Sequence, residues 1–157
     1  MRTRAYFDDF WGQEWPDVSV LEMHFRAPPG KLAPIQVRGD EGNLTVEGLD
    51  DTEHLDWRDG RVDAAMLFWA HSEHGCLLHF RKTGRIPVLG FYSRGNLARR
   101  HERIRTRHGT PLSVGLFIPV EDAWSAISEF MKTRGALPKS IEWVSASDLP
   151  ADTFPDS

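Results

Sequence analysis

Three apolar runs follow one another in the middle of the chain, and they restrict the fold more than any other feature. They cover residues 64–70, 76–80 and 86–92, and the first holds Met66, Leu67, Phe68 and Trp69. Ser72-Glu73-His74-Gly75 separates the first pair, and a polar turn over 81–85 with Gly84 separates the second. Runs of this length bounded by turn residues read as strands, and connections this short join antiparallel neighbours. The centre of the protein is therefore expected to be a β-meander, whose apolar side needs a covering layer. The stretch 119–134 supplies one: Val120, Ala123, Trp124, Ile127, Phe130 and Met131 recur at helical spacing. Pro119 suits the first turn, Glu121 and Asp122 suit the positive helix start, and Gly135 suits the stop.

The remaining segments carry weaker patterns. Residues 18–26 place Val18, Val20 and Phe25 in a strand-like alternation that Pro28-Pro29-Gly30 ends. Residues 35–37 and 44–46 read as short strands about a turn over 39–43. Residues 112–118 and 140–144 read as two more. Residues 1–17 mix Tyr6, Phe7, Phe10, Trp11 and Trp15 with acids and suit a short helix or a loop packed on the body. Over 93–110, Leu97, His101 and Ile104 are spaced for a weakly amphipathic helix, with a mobile loop as the alternative. The tail from Ser147 is polar and expected to fray. The expectation is an α+β fold in a single domain over 1–157. It has an antiparallel sheet of about five or six strands, with one main C-terminal helix packed on a face.

A chain of 157 residues can bury roughly 70% of its unfolded surface without a staple. Its single cysteine, Cys76, forms no intrachain disulfide and suits a reducing compartment. Acids follow Arg2 and Arg4 with no apolar run between, unlike a secretory signal, and no stretch approaches the ~18 apolar residues of a membrane span. A cytoplasmic protein with no membrane partner is expected.

Charge is divided unevenly. Residues 1–63 carry 14 acids against seven bases, whereas residues 81–108 carry nine bases against Glu102 alone. The two regions suit each other, or partners of opposite sign. Trp57 stands among the acids of 40–63 either as an interface anchor ringed by charge or as a core residue. The arginines over 94–107 would attract phosphates, but aromatic residues are not interleaved with them as in a single-strand groove.

His71, His74, Cys76 and His79 invite a metal reading. Strand alternation sends Cys76 and His79 to opposite faces, so turn histidines and a buried thiol are the reading adopted here, and no metal or cofactor is expected. A Cys76 nucleophile paired with His101 or His108 has no oxyanion signature or glycine-rich elbow beside it. Serine-nucleophile, phosphate-loop and dinucleotide motifs are missing too. Binding of a protein, not catalysis on a small-molecule substrate, is the expected activity.

The C-terminal half resembles a known family. The strand ending Gly115-Leu116-Phe117-Ile118-Pro119 leads into the helix, then to Glu129-Phe130, Gly135-Ala136-Leu137-Pro138 and Ile141-Glu142-Trp143. With the strands of 64–80 and Gly90-Phe91-Tyr92, this is similar, over residues 62–144, to an immunity-protein family of bacterial polymorphic-toxin systems. That family includes inhibitors of DNA cytosine-deaminase toxins. The resemblance implies a binding protein whose partner is a cognate toxin domain, plausibly a nucleic-acid deaminase or nuclease, with its active site occluded and with no catalytic residues of its own. The acidic connection is the toxin-binding candidate: Asp50, Asp51, Glu53, Asp56, Trp57 and Asp59. The alternative is a nucleic-acid-associated regulator using Arg99, Arg100, Arg103, Arg105 and Arg107.

Overall fold

A computed structural model describes residues 1–84 and 88–154. The central feature is an eight-stranded antiparallel sheet, which exceeds the five or six strands expected. Its strands are β1 (Arg2–Phe7), β2 (Phe10–Gln13), β3 (Glu41–Leu49), β4 (Val62–His71), β5 (Gly75–Thr83), β6 (Leu89–Ser93), β9 (Phe117–Ile118) and β10 (Trp143–Ser145). Between β6 and β9, β7 (Arg103–Arg105) and β8 (Pro111–Ser113) form a separate two-stranded sheet. The main order is β10-β6-β5-β4-β3-β1-β2, and β9 pairs with β5. The β4–β5 hairpin and β6 form the meander expected from the three apolar runs, although residues 86 and 87 of the third run lie outside the described residues.

The extra strands come from the N-terminus. Residues 2–13 form a hairpin about Asp8, which adopts φ 53, and β1 pairs with β3. Neither the helix nor the loop expected there occurs. Two expected strands are helices instead: α1 (Val18–Phe25) and α2 (Pro34–Arg38). The Asp17 carboxylate accepts from the Ser19 N–H at 3.1 Å and caps α1. Leu21 and Phe25, four residues apart, are buried, while Val20 and Met23 face solvent, so the helical period wins over the alternation. In α2, Pro34 opens the helix, the Gln36 side chain accepts from the Ala33 N–H at 3.2 Å, and Gly39 closes it at φ 62.

The sheet's two sides differ. On the inner side the cross-strand row Ala5–Leu44–Met66–Phe80–Phe91 meets α1, α2 and the main helix α3 (Val120–Thr133). From α3, Ala123, Trp124, Ala126, Ile127, Phe130 and Met131 are buried there, much as the spacing predicts, and Trp124 stacks on Phe25 at 5.4 Å. Ile127, Phe130 and Met131 each contribute roughly 1.5–3 kcal/mol by leaving water. On the outer side the row is Trp11–Tyr6–Asn43–Leu67–His79–Tyr92–Val144. Half of that row is covered. Residues 94–118 fold over Leu77, Tyr92 and Val144, and Leu97, Ile104, Leu112 and Leu149 pack there. This segment is neither the helix nor the loop expected. It holds a short 3-10 turn (Leu97–Arg99) and the β7–β8 pair. The expected strand over 112–118 is broken at Val114–Leu116, where Gly115 lies so close to the Arg100 backbone that a Cβ would sit 2.8 Å from its Cα. Residues 146–154 carry two further 3-10 turns and bury Thr153.

Candidate functional site

The acidic connection leaves β3 at Leu49 and returns at β4. Asp50 and Asp51 both take the left-handed conformation, at φ 55 and 61. Thr52 is the hub: its hydroxyl donates to the Leu49 carbonyl at 2.5 Å and accepts from the Val62 N–H at 2.8 Å. Gly48, at φ 83, lies against Glu53 so closely that a Cβ would fall 2.6 Å from its Cα. Trp57–Asp59 form a 3-10 turn, and the Asp56 carbonyl accepts from the N–H groups of Asp59 and Arg61 at 2.9 and 3.3 Å.

The side chains on this pinned backbone point outward. Trp57 is 64% exposed, with the Arg58 guanidinium 5.2 Å from its ring centre, so the core reading of Trp57 is set aside. Asp51, Glu53, Asp56 and Asp59 are exposed as well. Asp50 reaches Lys82 at 3.4 Å. Glu53 receives the Met1 amine, whose hydrogen bond holds the carboxyl below its ordinary range. Arg61 binds Asp63 at 2.9 Å and Glu47 at 3.7 Å, and the hydrogen bond to Asp63 pushes its guanidinium further up. The six residues singled out in the sequence thus share one loop. It presents a large aromatic side chain among carboxylates at little conformational cost.

The arginine-rich stretch is arranged otherwise. Arg99 forms a two-pronged pair with Glu102 at 2.7 and 2.8 Å. Arg100 and His101 converge on the Asp152 carboxylate at 3.5 and 3.3 Å, and Arg103 donates to the Asp152 and Arg100 carbonyls. Arg105 donates to the Gly109 carbonyl at 3.0 Å, and Arg107 reaches Asp40 at 3.4 Å. All five arginines of the nucleic-acid reading have acceptors within the fold, which lessens what each could offer a phosphate.

Cys76 is fully buried against the inner core, and burial pushes its thiol up to about 12, so it stays protonated. His79 lies on the opposite side, stacked on Tyr92 at 4.1 Å. Burial, helped by Arg81, lowers it to about 4. His71 and His74 stack on each other at 4.9 Å beside the β4–β5 turn. Among the described residues no group of three or more potential ligands converges on a metal position.

One feature has no counterpart among the sequence-derived candidates. A groove of about 550 Å3 opens on the outer side between the β1–β2 hairpin and the turn at 106–109. Tyr6, Asn43, Leu67 and Trp69 line its floor, and Trp11, 85% exposed, forms a wall. The available signal is the placing of Tyr6-Phe7 and Phe10-Trp11 about Asp8-Asp9, which a hairpin reading would have sorted into Tyr6 with Trp11 on one face and Phe7 with Phe10 on the other.

The sheet is thus covered by helices on one side and half open on the other, and an exposed tryptophan stands among carboxylates on the loop between β3 and β4. Residues 26–145 match the family model of the immunity protein Imm1. The chain belongs to the Imm1 immunity protein family. The match begins well before residue 62, so β3 and the acidic loop lie within it. Neither a curated protein nor a solved structure matches the chain.

Proposed function

We propose that this protein is a cytoplasmic inhibitor that binds a toxin domain acting on nucleic acid, a deaminase or a nuclease, and occludes its active site without catalysing a reaction. The observation that carries this reading is Trp57, 64% exposed and set among Asp51, Glu53, Asp56 and Asp59 on a loop that Thr52 holds in place. An enzyme that grips phosphates presents a basic cleft, and a rigid acidic loop complements it in sign and speeds encounter. Trp57 then supplies the desolvated anchor, and Asp50 and the other carboxylates form its charged ring.

The test is co-expression with the toxin domain encoded beside this chain. Restored growth and a complex that co-purifies are the expected results. A toxin that kills undiminished and elutes alone would contradict the proposal.

A further inference from the structure

The acidic loop is small for the task. A stable interface covers about 800 Å2 on each partner, more than a ten-residue loop presents. The outer groove lies on the side of the sheet to which the loop returns, since Arg61 is held there by Glu47 and Asp63. Along β3 the groove, at Glu41, and the loop's base, at Glu47, are six residues apart, or about 20 Å. Thr45 and Ala65 form a shallow strip between them.

The groove's chemistry selects its occupant. Trp11 meets Tyr6 edge-on with ring centres 6.0 Å apart, and most of the indole remains in solvent. Three carboxylates stand at the mouth. Asp40 is held by Arg38 at 2.8 Å and Arg107 at 3.4 Å, and Glu41 faces His108 at 3.7 Å. Asp8, at the hairpin turn, joins no ion pair among the described residues. Asp8 acts on His24 only through its charge, and aromatic walls beside such a carboxylate suit a guanidinium, which stacks on rings while its N–H groups reach an acid.

We infer that this groove is the second anchor of the toxin interface and takes an arginine side chain of the toxin, stacked against Trp11 and Tyr6 and paired with Asp8. The inference rests on the immunity reading. The groove and the loop's base then stand at opposite ends of β3, some 20 Å apart, and each region carries an exposed tryptophan.

Calorimetric titration of the catalytically inactivated toxin domain against this protein and two variants tests it. Trp11→Ala is expected to weaken binding at least tenfold and Asp8→Asn about fivefold, with melting temperatures unchanged because both side chains lie at the surface. Asp8→Asn tolerates the left-handed turn and serves if Trp11→Ala folds poorly. Wild-type binding with both variants within twofold of it would overturn the groove as an anchor and leave the immunity reading standing. No binding by the wild type would overturn both.

Discussion

The acidic loop over 50–61 and the arginine-rich stretch over 94–107 carry opposite charge and use it differently. The stretch pairs its charges within the fold. Arg100, His101 and Arg103 gather on Asp152, Arg107 reaches across to Asp40, and Leu97 and Ile104 pack on the outer side of the sheet. Its charge ties a cover down over Tyr92 and Val144. The loop is held from within by Thr52 and Gly48, through contacts that leave Trp57 and most of the acids facing water. In the loop a single hydroxyl ties backbone to backbone and leaves Trp57 exposed, whereas in the stretch the charged side chains themselves make the ties.

Substitutions in both regions test this contrast. The largest effect is expected at Trp57. Trp57→Ala should weaken toxin binding about 30-fold, some 2 kcal/mol, while Arg99→Ala and Arg103→Ala each leave it within twofold. Equal losses at both regions in a calorimetric titration would erase the distinction. Next comes the covered half of the sheet, which should behave as interior on titration. His79, near 4 in the fold against 6.5 for the free side chain, binds fewer protons folded than unfolded. Stability should therefore fall as pH drops from about 6.5 to about 4 and level off below, by about 2 kcal/mol after allowance for partial exposure. Urea unfolding of the wild type and His79→Gln reads this, and a variant with the same pH slope would show that His79 is not responsible.

Smaller effects follow at the points that hold the two regions. Thr52→Val deprives the Val62 N–H of its acceptor and should cost about 1–2 kcal/mol in urea. It should also loosen the loop, seen as faster amide exchange over 50–61. Asp152→Ala should cost at most about 1 kcal/mol, since its pairs are partly solvated, and should leave toxin affinity unchanged. A fall in affinity on releasing Asp152 would assign the arginine stretch to the interface.

What the sequence disclosed follows from the size of each element. The three apolar runs and α3 were legible because each repeats its period several times. Residues 18–25 were not, since Val18 and Val20 suggest alternation while Leu21 and Phe25 keep the helical period, and the Asp17 cap favours the helix. The β1–β2 hairpin hid behind aromatic residues that suit strand, helix or loop equally, and with it the groove at Trp11. The break at Val114–Leu116 depends on the approach of the Arg100 backbone, a contact that no local pattern encodes. Acids and arginines were visible as runs of charge. Which of them face solvent depends on residues as distant as Asp40 and Asp152.

If the acidic loop meets a basic cleft, affinity must depend on ionic strength. Affinity for the inactivated toxin domain would be measured from low to high ionic strength for the wild type and for Asp51→Asn/Glu53→Lys/Asp56→Lys. The wild type should bind more weakly as salt rises, and the triple variant should bind more weakly at low salt with a flatter dependence. A triple variant with the affinity and salt slope of the wild type would contradict the assignment of this loop to the toxin's cleft.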